Sequence, residues 1–254
     1  MVRRLSQTSW WILLAAMSLY MGCGTAPKAE QGTSTPKPEL TINVATLNLS
    51  GLNKRIERTD IARLWQTLKA EQIEILAMQN VSRYPGVATR IDPVEELAKQ
   101  ADWRKTFGET ADFSGRQVGN AVLAAYPIRS SSSHSYPGIR SAMNDGALQA
   151  VVDGGVRDLL VISAQLPAKA SAADHAKCVA IITKSRADDR MPMIVMGNLP
   201  QVSEGLTNVE GGESLSTRVM YDGLGTLQPT STSAVNTPLG RMVIVRFAVF
   251  RQPT

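Results

Sequence analysis

The segment GNAVLAAYPI occupies residues 119–128, close to the middle of the chain. Its first part carries no charge and is mostly apolar, which predicts a β-strand over residues 119–126. Upstream, residues 40–47 (LTINVATL) alternate apolar and polar side chains, and residues 73–78 form a short apolar run. Both patterns predict further strands, so the N-terminal half of the chain is expected to contribute three strands to a sheet.

Helical segments separate these strands. A run that begins at Asp60 places apolar residues, including Ile61 and Leu64, on one face, as an amphipathic helix does. Asp92 followed by Pro93 is typical of a helix start, because Asp caps the first turn and Pro fits the first helical position. The pattern therefore alternates between the two kinds of element.

The C-terminal half continues this alternation. Residues 147–152 and 159–165 predict a β-hairpin that turns around Asp153-Gly154-Gly155, and the Ser-rich residues 129–138 before it predict an exposed loop. The remaining predicted elements are a helix over about 172–185 and strands over 193–196 and 242–250. With no repeat and no second linker, one α/β domain over residues 40–251 is the simplest interpretation.

Three strand motifs carry a family resemblance. Residues 45–49 (ATLNL), 75–81 (ILAMQNV) and 119–128 (GNAVLAAYPI) are similar, in the same order, to motifs of the endonuclease/exonuclease/phosphatase family. The chain resembles this family along nearly all of residues 40–251. The resemblance implies an α/β fold, a four-layered sandwich of two packed mixed β-sheets flanked by helices.

The family cleaves phosphate esters, and that reaction needs particular side chains. A divalent cation neutralises the phosphoryl charge and prefers carboxylate oxygens, while a carboxylate and usually a His orient and deprotonate water. The resemblance places seven substitutions at positions where the family carries this chemistry. They are Asn80 for the metal-binding Glu, Gln165 for the phosphate-facing His, Asn198 and Pro200 in the "GDFN" motif, Met220 in "RIDY", and Gly240 and Arg241 for the closing Asp–His pair.

Asn48 is the one family position of this kind that is retained, so the leading hypothesis is a catalytically degenerate domain that serves in binding or as a scaffold. The alternative is a weak or altered metal-dependent phosphodiesterase, phosphatase or nuclease. No cofactor is expected, or Mg²⁺ or Mn²⁺ if activity remains, with Asn48 and Asn80 as weak vestigial ligands. Asn48 equally suits a strand-to-loop turn. Asn80, Gln165 and Asn198 either bind an uncharged ligand or pair with one another.

Residues 1–22 are typical of an export signal. Arg3 and Arg4 precede an apolar stretch of about a dozen residues, too short to span a bilayer as a helix. The stretch ends at Gly22-Cys23, which resembles a bacterial lipoprotein site with Cys23 as the lipidated residue; the alternative is cleavage after Ala26. Residues 23–39 then predict a flexible tether. The expected location is the bacterial cell envelope, either membrane-anchored through the lipid or periplasmic.

Composition narrows the choice of partners. The 254 residues are 43% hydrophobic, and the formal net charge is only +5 without basic clusters, so nucleic acid is not an expected partner. The expected partners are the membrane, an envelope protein or a small ligand. Cys178 lies among apolar residues and is predicted to be a buried thiol. His134 and His175 are both predicted to lie on the surface.

Overall fold

The computed structural model describes residues 39–52, 54–139, 144–184, 191–199, 206–209, 217–224 and 226–250. The predicted export signal, nearly all of the tether with Cys23, and Pro200 lie outside the described residues. The described helices are α1 (Arg58–Ala70), α2 (Pro93–Ala101) and α3 (Ala172–Lys184). None of the described helices is long and apolar enough to cross a membrane.

Within the described residues, twelve strands form two six-stranded mixed sheets. The first sheet has the order β11-β12-β1-β2-β4-β3 and the second has the order β5-β6-β7-β8-β10-β9. Only β1–β2 and β7–β8 pair in parallel. The strands are β1 (Leu40–Asn48), β2 (Ile75–Arg83), β3 (Arg104–Asp112), β4 (Gln117–Ala124), β5 (Ile128–His134), β6 (Gly146–Asp153), β7 (Asp158–Gln165), β8 (Met193–Asn198), β9 (Thr207–Val209), β10 (Thr217–Asp222), β11 (Leu227–Thr237) and β12 (Gly240–Val249).

Three apolar clusters hold four layers together. The central cluster lies between the sheets and includes Ile42 of β1, Leu148 of β6 and the fully buried Phe247 of β12. A second cluster packs α1 and α2 on the first sheet, and a third packs α3 on the second sheet. The order helix–sheet–sheet–helix confirms the predicted α/β sandwich.

The segment GNAVLAAYPI lies at the centre of this packing. Gly119 has no room for a side chain, because an added Cβ would lie 2.0 Å from the backbone oxygen of Gly108 on β3. Asn120 is fully buried and donates from Nδ2 to the backbone oxygen of Gly146 at 2.9 Å, which joins β4 of the first sheet to β6 of the second. This segment therefore fixes contacts both within and between sheets.

Several sequence predictions need correction. The predicted Ser-rich loop is mostly strand β5, whose hydroxyl side chains face solvent at the edge of the second sheet, and His134 lies half-exposed at its end. His175 is buried, because it shares one face of α3 with Cys178 and Ile182. The predictions also omitted β3, β9, β10 and β11; of these, β3 and β11 carry few large apolar residues, and β9 is only three residues long.

Candidate functional site

Two pairs of parallel strands bring the candidate side chains to one edge of the sandwich. Asn48 ends β1, and its Cα lies opposite that of Gln79 on β2. Gln165 ends β7 opposite Asn198, which ends β8. The Asn48 side chain bridges the two sheets, since its Nδ2 donates to Gln165 Oε1 at 3.1 Å. The C-terminal ends of these strands therefore meet at the predicted position.

Asn80 enters this group through an irregularity in β2. Its backbone has a φ of 56°, in the left-handed region, and the pairing of β2 with β4 shifts register between Met78 and Val81. Asn tolerates this conformation better than most residues with a side chain. As a result Asn80 Nδ2 donates to Asn48 Oδ1 at 3.0 Å and to Gln165 Oε1 at 2.8 Å.

A fourth amide completes the group. Asn144, just before β6, donates from Nδ2 to Asn80 Oδ1. We call Asn48, Asn80, Asn144 and Gln165 the amide cluster. No sequence motif pointed to Asn144, because it lies outside every strand motif. The structure thus supports mutual pairing of Asn80 with Gln165, one of the two expected alternatives.

A buried polar network lies beneath the amide cluster. Thr46 Oγ1 donates to Gln79 Oε1 at 3.1 Å, and Gln79 Nε2 donates to Ser163 Oγ at 3.0 Å. Ser163 in turn donates to the backbone oxygen of Met78 at 2.9 Å. All three side chains are completely buried. This network fixes β1 and β2 against β7, and so sets the spacing between Asn48 and Gln165.

Asn198 is placed nearby but is not joined to the amide cluster by any side-chain hydrogen bond in the described part of the chain. It is 8% exposed, and its Oδ1 has no hydrogen-bond partner among the described residues. The preceding Gly197 has a φ of 138°, and an added Cβ would lie 2.0 Å from the backbone oxygen of Ala164. Only glycine fits there, so the approach of β8 to β7 depends on it.

The other predicted site residues lie either near the amide cluster or in the hydrophobic core. Gly240 begins β12 beside the end of β1, since its Cβ position lies 3.7 Å from the backbone oxygen of Asn48. Arg241 follows it and is exposed. Met220 is fully buried in the cluster beneath α3, paired opposite Val195 of β8. An apolar side chain at this position contributes packing to the core.

The donor set of the amide cluster does not fit a divalent metal ion. Hard cations such as Mg²⁺ prefer charged carboxylate oxygens, whereas the amide cluster is uncharged. Its central group, Asn80 Nδ2, is a hydrogen-bond donor that occupies both Asn48 Oδ1 and Gln165 Oε1. Among the described residues, no group of three or more His, Cys, Asp or Glu side chains is arranged to hold a metal.

The sequence matches no protein-family model and none of the curated proteins. The fold, however, is similar to several solved structures. One is an endonuclease/exonuclease/phosphatase family protein from Leptotrichia buccalis, with a TM-score of 0.61 at 12% identity, over 80% of this chain and 98% of that chain.

Two other similar structures contain a bound ligand. The D. rerio protein TDP2, complexed with a single-strand DNA product, gives a TM-score of 0.59 at 14% identity, over 82% of this chain and 98% of that chain. The human nocturnin catalytic domain, with a bound sulfate anion, gives a TM-score of 0.58 at 15% identity, over 82% of this chain and 94% of that chain. At these identities the likeness concerns the fold, and the chain therefore has the fold of the endonuclease/exonuclease/phosphatase proteins.

Proposed function

We propose that this chain is a catalytically degenerate member of its fold, which acts as a binding or scaffold domain. The observation that carries the proposal is the position of Asn80 Nδ2, 3.0 Å from Asn48 Oδ1 and 2.8 Å from Gln165 Oε1. An NH₂ group stands where hydrolysis of a phosphate ester would need a charged oxygen. The amide oxygens of Asn48, Gln165 and Asn80 already accept hydrogen bonds within the cluster.

The groups for proton transfer are also replaced. At the end of β7 Gln165 is an amide, and an amide neither accepts nor releases a proton near neutral pH. Asn198 has nearly the shape of Asp but is likewise no base. The loss of one general acid or base typically lowers a rate by about 10²–10⁴-fold, so loss of several removes most catalysis even without additivity.

We further propose that the domain is exported and tethered to the bacterial envelope through a lipid on Cys23. The support is the sequence alone: the basic start, the short apolar stretch and Gly22-Cys23. The test is intact-mass spectrometry of the chain expressed in bacteria, compared with Cys23→Ser. A mass increase of a lipid group on the wild type alone is expected. An unmodified chain cleaved after Ala26 would contradict the anchor.

The loss of catalysis is tested by turnover. The purified chain is assayed with aryl-phosphate mono- and diesters and single-stranded DNA in Mg²⁺ or Mn²⁺, with a chelated sample and Asn48→Ala as controls. No metal-dependent turnover is expected. Turnover that both controls abolish would establish the alternative, a weak metal-dependent phosphoric ester hydrolase.

A repair experiment measures how far the site has diverged. Asn80→Glu combined with Asn198→Asp restores two of the replaced carboxylates but neither of the His positions. Because proton transfer would still lack its groups, this double variant is expected to remain inactive. Robust turnover by the double variant would show that the site retains more of its chemistry than we propose.

A further inference from the structure

A basic cavity opens beside the amide cluster. It has a volume of about 290 Å³ and is bounded by the segment after β1, the end of β2 with its following loop, and the start of β4. Asn80 forms part of its wall together with Tyr84. Among the described residues, four cationic side chains line it and no Asp or Glu does; the cations are Lys54, Arg55, Arg90 and Arg116.

Two of the four cations are neutralised by nearby carboxylates. Lys54 Nζ lies 2.8 Å from Asp60 Oδ1, and Arg55 Nε lies 3.4 Å from Glu57 Oε1. Both acids lie outside the cavity lining. Lys54 and Arg55 therefore add little uncompensated charge.

The other two cations stack on aromatic rings instead. Arg90 Cζ lies 5.0 Å from the centroid of the Tyr84 ring, and Arg116 Cζ lies 4.9 Å from that of Phe113. Neither guanidinium forms an ion pair with a described carboxylate. A ring face attracts a guanidinium without neutralising its charge, and the guanidinium N–H groups can donate to a planar or tetrahedral oxyanion. The cavity thus holds about two uncompensated positive charges.

We propose that this cavity binds a small ligand that carries an oxyanion of about two negative charges, through Arg90 and Arg116 and without a metal. The proposal rests on the proposed function, because it names the ligand class of a binding domain whose own amides do not fit a metal. Cavities of this size hold small molecules. Carboxylate, phosphate and sulfate share the required chemistry, since guanidinium pairs with each of them.

The cavity favours a small molecule over a nucleic-acid strand. Strand binding combines a long basic groove with open aromatic rings on which bases stack. Here the rings of Tyr84 and Phe113 already stack against Arg90 and Arg116. A nucleic-acid strand would also contact cations beyond the cavity. Binding that depends only on Arg90 and Arg116 therefore distinguishes a small ligand from a strand.

Calorimetry on the purified full-length chain in detergent, in buffer freed of metal ions on a chelating resin, tests the proposal. The probes are inorganic phosphate, sulfate, succinate and citrate. We expect at least one probe to bind saturably with a dissociation constant below ~1 mM. Arg90→Gln and Arg116→Gln are each expected to weaken that binding by about tenfold, as loss of a charge-assisted hydrogen bond does. The rank of phosphate against succinate identifies the natural oxyanion.

Arg104→Gln is the matched control, because Arg104 is an exposed arginine of β3 outside this cavity. It should leave the affinity within about twofold, and thermal melts should show all three variants folded because the substituted side chains are exposed. Asn80 side-chain NMR signals should shift on binding, since Asn80 lines the cavity.

Three outcomes overturn the assignment: no probe that saturates, equal weakening by Arg104→Gln, or binding that requires added Mg²⁺ or Mn²⁺. Tighter binding of a single-stranded oligonucleotide that also depends on Arg104 would likewise overturn it. These failures are separable from that of the proposed function. Metal-dependent turnover would overturn the proposed function alone, whereas absent turnover with absent probe binding would overturn only the cavity assignment.

Discussion

Ser50 donates its backbone N–H to Asn48 Oδ1 at 2.8 Å. A backbone N–H can only donate, so this bond fixes which end of the Asn48 amide is oxygen. Asn48 Nδ2 must then face Gln165 Oε1, and the next amide, Asn80, must present its NH₂ to both oxygens. One turn of the backbone after β1 thereby sets the polarity of the whole amide cluster, with a donor at its centre.

The first prediction concerns the conformation of Asn80. Asn80→Ala should lower the free energy of unfolding by about 2 kcal/mol, because Ala is disfavoured at a φ of 56° and cannot make the hydrogen bonds that join Asn80 to Asn48, Gln165 and Asn144. Asn80→Gly removes only the hydrogen bonds and should cost about 1 kcal/mol. Urea unfolding checks both. Equal effects of the two substitutions would show that the backbone is unstrained.

The second prediction concerns Gly197. Gly197→Ala should destabilise the fold by more than about 4 kcal/mol or prevent folding, since its Cβ would lie 2.0 Å from the Ala164 oxygen. Gly155→Ala is the matched control, because Gly155 also has positive φ but open space around it, and should cost only about 1 kcal/mol. Thermal and urea denaturation provide the comparison. Comparable costs would contradict the close approach of β8 to β7.

The third prediction is a pH dependence at the start of α1. The hydrogen bond from Lys54 holds the pKa of Asp60 below its ordinary value of 3.8, and the Glu57 N–H adds to this. A lowered pKa means that the ionised carboxylate stabilises the folded state above about pH 4, and that this stabilisation disappears as pH falls through the folded-state pKa.

Asp60→Asn should therefore reduce stability at pH 7, by less than about 1 kcal/mol because Lys54 is half-exposed. At pH 2 the variant and the wild type should differ much less. Lys54→Met should reduce the change in stability between pH 2 and pH 7, because it removes the same ion pair. Urea midpoints measured from pH 2 to 7 check this, and a difference that stays constant across the range would contradict it.

The fourth prediction concerns the thiol of Cys178, which is fully buried on the inner face of α3. Burial raises its pKa to about 11, and the charges of Asp174 and Asp145 add to the effect. In the Cys23→Ser background, Cys178 should resist a disulfide reagent at pH 8 and react quickly in urea. Stopped-flow absorbance measures the rates. Fast labelling of the folded chain would place the thiol at the surface.

Much of the sandwich could be predicted because its inner strands are apolar runs. The segment at residues 119–126 became β4, and the turn at Asp153-Gly154-Gly155 joins β6 to β7 as predicted. The edge strands show a weaker pattern of apolar residues than the inner strands. In β5 and β11 the side chains are largely Ser and Thr, which suit both a solvent-facing strand and a loop.

The candidate site could be predicted only as a set of strand ends. Asn48 and Gln165 lie where the motifs placed them, but the bond from Asn144 is a contact between distant segments that one sequence does not contain. His175 was predictable, since its spacing to Cys178 and Ile182 marks a helix face. Neighbouring Ala and Lys residues led to the wrong prediction there.

The most direct test of the account is a measurement of Mn²⁺ binding by electron paramagnetic resonance, with the wild type and Asn48→Ala compared. If the amide cluster is self-paired and uncharged, neither protein should bind Mn²⁺ with a dissociation constant below ~1 mM, and their titrations should coincide. Saturable binding of one Mn²⁺ per chain that Asn48→Ala abolishes would contradict the account, because it would place a working metal site at the amide cluster.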